Sequence, residues 1–170
     1  MADKAVIYIH GQGGNARDSE YFDSLSKQYV SITVLAGSLG AYYLLISGVC
    51  NLIEKAFFVS PIVNMEMLIK DMMHRSEVSE DELKEKGTIS TSSGETLSWK
   101  YLEWVRSHPI IWNVPTHILY GEYDHFQSLR TIEVFAETVH ADLTIMPGGE
   151  HWFHTDEQNE FRWNWLERGK

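Results

Sequence analysis

The chain is poor in cysteine and in basic residues, and it has no apolar run long enough to cross a bilayer. Cys50 is the single cysteine among 170 residues, so no internal disulfide can form. Its apolar neighbourhood predicts a buried thiol in a reducing compartment. Fourteen Lys and Arg stand against 24 Asp and Glu, a formal net charge of −10. That balance lacks the basic footprint of a nucleic-acid binder and opposes attachment to anionic membrane surfaces. The longest apolar stretch, about Ala41 to Val49, falls far short of the ~20 residues that span a membrane. Met1-Ala2-Asp3-Lys4 runs straight into a strand pattern, which leaves no room for a signal peptide. A cytoplasmic protein that touches neither nucleic acid nor membrane is the expectation. Neither internal repeats nor low-complexity tracts occur.

With 44% hydrophobic and 22% charged residues, the composition is that of an ordinary folded domain, and the length suits one domain with a sizeable core. Five short runs are apolar and β-branched throughout instead of alternating, the mark of strands buried on both faces of a parallel sheet. They are Ala5–Ile9, Ser31–Leu35, Lys55–Val59, Thr116–Tyr120 and Leu143–Met146. Helical patterns separate them, which predicts an α/β architecture: a mostly parallel twisted sheet of about five strands with helices on both faces. Phe22, Leu25 and Tyr29 form one helical stripe. Leu39 to Val49 is apolar nearly all round, as in a helix inside the molecule. The last helix, Asp156 to Arg168, carries Phe161, Trp165 and Leu166 on one face. Residues 62–113 interrupt this rhythm and predict a small helical cap within a single 1–170 domain. They hold an apolar helix near Met65–Met73 and a charged helix opened by the capping box Ser79-Glu80-Asp81-Glu82. A polar turn over Ser90–Glu95 follows, then a helix through Trp99, Leu102, Trp104 and Val105 that His108-Pro109 stops.

Small-residue turns follow two of the strands. Ala36-Gly37-Ser38-Leu39-Gly40 presents a serine between small residues, the pattern of a nucleophile elbow, whose tight strand-to-helix turn admits only small side chains two positions either side. A serine that merely caps the next helix would leave the same string. His10-Gly11-Gln12-Gly13-Gly14 is a glycine loop able to aim the Gln12 N–H, beside Gly11, at an oxyanion. The Leu39 N–H, directly after the serine, would be the second donor. A generic glycine turn or a phosphate cradle is the other reading; without a following Gly-Lys-Ser/Thr it is not a P-loop. Asp124 lies just beyond the fourth strand, with Glu122 as competitor. His151 lies in the loop after the last strand, whereas His154 is expected on the final helix. His151 and His154 could be taken as a metal pair, but no third ligand is spaced nearby. His74, His108, His117, His125 and His140 belong to no constellation.

Ser38, Asp124 and His151 occur in the order and at the strand ends that an acyl-transfer site needs: nucleophile, orienting acid, base. On these residues and the two turns, nearly the whole chain resembles a small α/β hydrolase. The resemblance implies a carboxylic ester or related acyl bond as substrate, with Ser38 as nucleophile, His151 as base and Asp124 as its orienting acid. It implies no cofactor and no metal. Met65, Leu68, Met72, Trp99 and Trp104 would serve as walls of an apolar acyl pocket, or as ordinary core. A hydrolase-fold binding or interaction protein with relic motifs is the alternative.

The chain departs from the family in two ways. Ala36 stands where the elbow usually has glycine, and His10 to Ser38 is only 28 positions. That distance holds one helix and one strand where the family places helix–strand–helix, and the two strands often found before the His-Gly loop are absent as well. The shortened front leaves Ala5–Ile9 as an edge strand with no Lys or Pro to protect it. Pairing of this strand with its copy across a two-fold axis predicts a homodimer, unless the N-terminal residues or part of the cap cover the edge. Light scattering at high micromolar concentration should report a dimer; a clean monomer means the edge is covered.

Overall fold

The computed structural model describes residues 4–10 and 31–169. The expected helical stripe at Phe22, Leu25 and Tyr29, and the candidate donors Gly11 and Gln12, lie outside the described residues. The chain divides into two compact units, one formed by Met1–Val63 with Ile111–Lys170, the other by Asn64–Ile110.

Among its described residues the first unit is built on five parallel strands in the order β1 (Lys4–Ile9), β2 (Ser31–Gly37), β3 (Lys55–Val59), β6 (Thr116–Gly121) and β7 (Asp142–Met146). Each of the five apolar runs forms a strand, extended by a residue or two in four cases. The register, with Leu35 opposite Phe57 and Val59 opposite Leu119, sets the two faces. Phe57, Leu119, Met146, Phe153 and Trp165 make one buried cluster, with Leu35, Val59, Phe161 and Leu166 packed against it. Phe161, Trp165 and Leu166 come from the last helix, α6 (Asp156–Arg168), so the expected stripe is the face it buries. Strand residues of opposite parity, Val34, Ala36, Ala56, Phe58 and Ile118, are fully buried on the other side. The helices α1 (Leu39–Ile46) and α5 (Leu129–Val139) run along β2 and β6.

Among the described residues β1 pairs only with β2 and stands at one edge of the sheet. Val6 and Tyr8, on the Leu35 face of the sheet, are exposed. Two local expectations are corrected here. The helix after Ser38 stops at Ile46 instead of Val49, because the Ser47 N–H and hydroxyl both turn back to the Leu44 carbonyl and Gly48 takes φ 75°. Cys50 then opens a single 3-10 turn, Cys50–Leu52, and is half-buried, not buried.

The second unit holds α2 (Met65–Arg75), α3 (Glu80–Lys86), α4 (Trp99–Ser107) and an antiparallel hairpin of β4 (Thr88–Ser90) and β5 (Thr96–Ser98). Ser79 caps α3, its Oγ accepting from the Glu82 N–H. The expected polar turn joins the two strands of this hairpin, which was not expected because its strands are three residues each, too short to show alternation. Leu83, Leu97 and Leu102 are fully buried and give this unit its own core. Arg106 clamps Glu66 of α2 and Glu80 of α3 at 2.9 and 2.7 Å. Lys70 and Arg106 together hold the Glu66 carboxyl below the usual carboxylate range. No helix among the described residues is long and apolar enough to cross a membrane.

Candidate active site

Ser38 sits where β2 turns into α1, with φ 50° and ψ −124°. A non-glycine residue at positive φ is strained, and the surroundings must hold it. Here the Ser38 N–H donates to the Val59 carbonyl at 3.1 Å, and the Ser38 carbonyl accepts from the Ile62 N–H at 3.1 Å. The small residues flanking it act as the sequence pattern requires. Ala36 is fully buried. A Cβ on Gly40 would lie 2.5 Å from the His10 carbonyl oxygen, so only glycine lets the first turn of α1 pass the end of β1. Leu39 is the first residue of α1, and its N–H belongs to the helix start that has no carbonyl partner within the helix.

The three residues named from the sequence meet. His151 Nε2 lies 2.9 Å from Ser38 Oγ, and His151 Nδ1 lies 2.8 Å from Asp124 Oδ2. In this arrangement the serine hydroxyl donates to Nε2 and the Nδ1–H donates to the carboxylate. The His151 and Asp124 side chains are only 2% exposed. Asp124 Oδ1 also accepts from the Phe126 N–H at 2.9 Å, so both carboxylate oxygens are engaged. The competitors point elsewhere. Glu122 accepts from the Gly148 N–H at 2.8 Å and braces the loop after β7. His154 precedes the N-cap Thr155 and is therefore not on the final helix as expected; it is exposed and pairs with Glu150 at 3.2 Å. Among the described residues no group of three His, Cys, Asp or Glu is placed to hold a metal ion.

Several supporting groups escaped sequence reasoning. The loops carrying Asp124 and His151 touch backbone to backbone: the Tyr123 N–H donates to the Gly149 carbonyl at 2.8 Å, and the Glu122 N–H to the Met146 carbonyl at 3.1 Å. Phe126 lies over the His151 imidazole at 4.4 Å between ring centroids, and Trp152 meets it edge-on at 4.8 Å. The Tyr120 hydroxyl reaches the carbonyls of Asp124 and Gln127 at 3.0 and 2.7 Å, pinning the start and end of the acid loop. Burial, and then the charge of Asp124, push this phenol up to about 12, so it stays a neutral donor. A glycine at the end of each loop, and a tyrosine ending a buried strand whose hydroxyl needs a partner, were the signals available.

Ser38 and His151 open onto a cavity of about 700 Å³, walled by Leu35, Val59 and Leu166 and bordered by Trp152, Arg162 and Trp163. The residues expected as acyl-pocket walls, Met65, Leu68, Met72, Trp99 and Trp104, all belong to the second unit, where Met65 and Leu68 are buried.

Known structures share this architecture. Mouse alpha/beta hydrolase domain-containing protein 10 matches with a TM-score of 0.65 at 12% identity, over 96% of this chain and 88% of that one. Est1E from Butyrivibrio proteoclasticus matches with a TM-score of 0.66 at 13% identity, over 97% and 90%. An esterase from Pyrococcus furiosus matches with a TM-score of 0.60 at 15% identity, over 98% and 80%. No protein-family model and no curated protein sequence matches the chain. At these identities the likeness is one of fold: the chain has the α/β-hydrolase fold, with five parallel strands in its main sheet among the described residues.

Two substitutions test how the site is held. A Cβ on Gly121 would lie 2.6 Å from the Gly149 carbonyl oxygen and 2.9 Å from that of Glu150, both backbone atoms that cannot swing aside. Gly121→Ala is therefore expected to cost roughly 1–3 kcal/mol, read by urea denaturation. Tyr120→Phe should cost about 1 kcal/mol near neutral pH through the lost hydrogen bond. The folded protein keeps a Tyr120 proton that the unfolded chain releases from its ordinary value of 10 upward. That stability is present below pH 10 and lost as pH rises through about 12, so the alkaline fall in stability should be shallower in Tyr120→Phe.

Proposed function

We propose that the protein is a serine hydrolase that cleaves a carboxylic ester or similar acyl bond through an acyl-enzyme. The observation that carries the reading is the unbroken relay from Ser38 Oγ through His151 to Asp124, at 2.9 and 2.8 Å. Ser38 attacks the carbonyl carbon while His151 Nε2 takes its proton. His151 then returns that proton to the leaving alkoxide or thiolate. Water, deprotonated by the same nitrogen, releases the acid and regenerates Ser38. Asp124 keeps the Nδ1–H tautomer and stabilises the imidazolium that forms. Leu39 N–H would donate to the oxyanion, with Gln12 N–H as the second donor on the strength of the resemblance. The likeness in fold to the Pyrococcus furiosus esterase favours ester over peptide substrates. We assign the 62–113 insertion as a small helical cap within a single domain, and the half-buried, unpaired Cys50 suits a cytoplasmic, reducing setting. None of these steps draws on a metal or organic cofactor.

A fluorophosphonate probe should label the wild-type protein and not Ser38→Ala. Turnover of a p-nitrophenyl ester should fall by roughly 10⁴-fold or more in Ser38→Ala with folding unchanged, since such residues act as a unit. His151→Ala and Asp124→Asn should be severe, while His154→Ala and Glu122→Gln should be mild. An unlabelled wild-type protein, or Ser38→Ala within tenfold of it, would return the fold to the role of a binding module.

A further inference from the structure

The cavity onto which Ser38 opens carries a charge that the proposed chemistry does not use. Its walls are largely apolar, yet Arg162 of α6 lines it. This arginine is half-buried. Its Nη2–H donates to the neutral Asn159 Oδ1 at 2.7 Å, and its guanidinium lies 5.8 Å from the centre of the Trp163 ring. Among the described residues no carboxylate stands within 4.0 Å of it. The chain does not lack acids, with 24 Asp and Glu. Among the other described arginines, Arg106 holds Glu66 and Glu80 and Arg130 faces Glu133, whereas Arg75 and Arg168, which have no ion pair, are exposed to water where Arg162 is half-buried. Withdrawing a guanidinium from water without an anionic partner is unfavourable, so a protein rich in acids would ordinarily supply one. An arginine left open beside a nucleophilic serine has N–H donors spare for a carboxylate, which it binds in a fork of two parallel hydrogen bonds.

We infer that Arg162 selects an ester bearing a carboxylate away from the scissile bond. Resting on the hydrolase reading, this narrows the substrate class to anionic esters, such as monoesters of short dicarboxylic acids. The apolar walls would take the methylene chain, the Trp163 ring would steady the guanidinium, and the charge would fix which way the ester enters. The net charge of −10 makes this local preference the more telling, since the field of the whole protein repels anions.

The test compares two matched pairs of substrates by the ratio of their kcat/KM values. Mono-4-nitrophenyl adipate against 4-nitrophenyl hexanoate places the charge on the acyl side. 4-Carboxyphenyl hexanoate against phenyl hexanoate places it on the alcohol side. In one pair the charged ester should be preferred, and Arg162→Gln should lower that ratio by roughly 10- to 100-fold, mostly through KM, the worth of a charge-assisted hydrogen-bonded pair. Arg162→Lys should restore part of it. Hydrolysis that depends on Ser38 but shows no charged preference in either pair, or a preference indifferent to Arg162→Gln, overturns the inference and leaves the hydrolase reading standing. If no ester is turned over and no fluorophosphonate reacts, the hydrolase reading fails. Adipate binding, followed by tryptophan fluorescence, then decides on the anion site alone. Saturable binding that Arg162→Gln abolishes supports it, and equal behaviour of the two proteins overturns it.

Discussion

The parallel register of β2, β3, β6 and β7 brings four carboxyl ends to one side of the sheet, and Ser38, Asp124 and His151 each hang from one of those ends. Ser38 follows β2, Asp124 follows β6 and His151 follows β7. In the strand order β2 and β7 stand three spacings apart, roughly 14 Å at the usual separation between strands. A serine and a histidine so placed cannot meet unless the loops lean inward. The loop after β7 therefore crosses back over the end of β6, and the contact of Gly121 with Gly149 sets how low it crosses. The relay is a consequence of that crossing.

Backbone strain and polar bracing complement each other around this constraint. Ser38 holds a strained positive-φ conformation because its N–H and carbonyl are both engaged, by the strand beside it and by Ile62. On the other side, Asp124 is bonded through both oxygens, and Tyr120 fixes the carbonyls at either end of its loop. A carboxylate so held cannot rotate away from the imidazole. Phe126 and Trp152 pack the ring from two directions, which restricts its tilt and keeps water from competing for its nitrogens. In the proposed reaction such preorganisation would spare the cost of orienting the base at the moment of proton transfer.

Much of this was legible in the residues. Buried parallel strands announce themselves by unbroken apolar runs, so all five strands were found where the pattern placed them. Small residues around Ser38 pointed to a tight turn, and the order of Ser38, Asp124 and His151 supplied the pairing. Shorter and contextual features were not legible. The hairpin of Thr88–Ser90 with Thr96–Ser98 has too few residues to show a period. The end of α1 at Ile46 depended on Ser47 bonding backward, a choice open to any serine near a helix end. The final helix starts at Asp156, where its pattern placed it, and the cap at Thr155 leaves His154 just outside it.

What the sequence by itself determined was the class of sheet, the elbow at Ser38 and three residues of complementary chemistry, because periodicity and small-residue turns are local properties of the chain. What only the tertiary structure decided was distance and partnership. Glu122 and Asp124 are two positions apart and equally acidic, yet one is bonded to Gly148 and the other to His151. Arg106 and Arg162 are the same residue type, yet one is neutralised and the other lines the cavity of Ser38 without a carboxylate among the described residues. Such differences come from which elements pack side by side, and packing joins positions that stand 26, 27 and 113 residues apart along the chain.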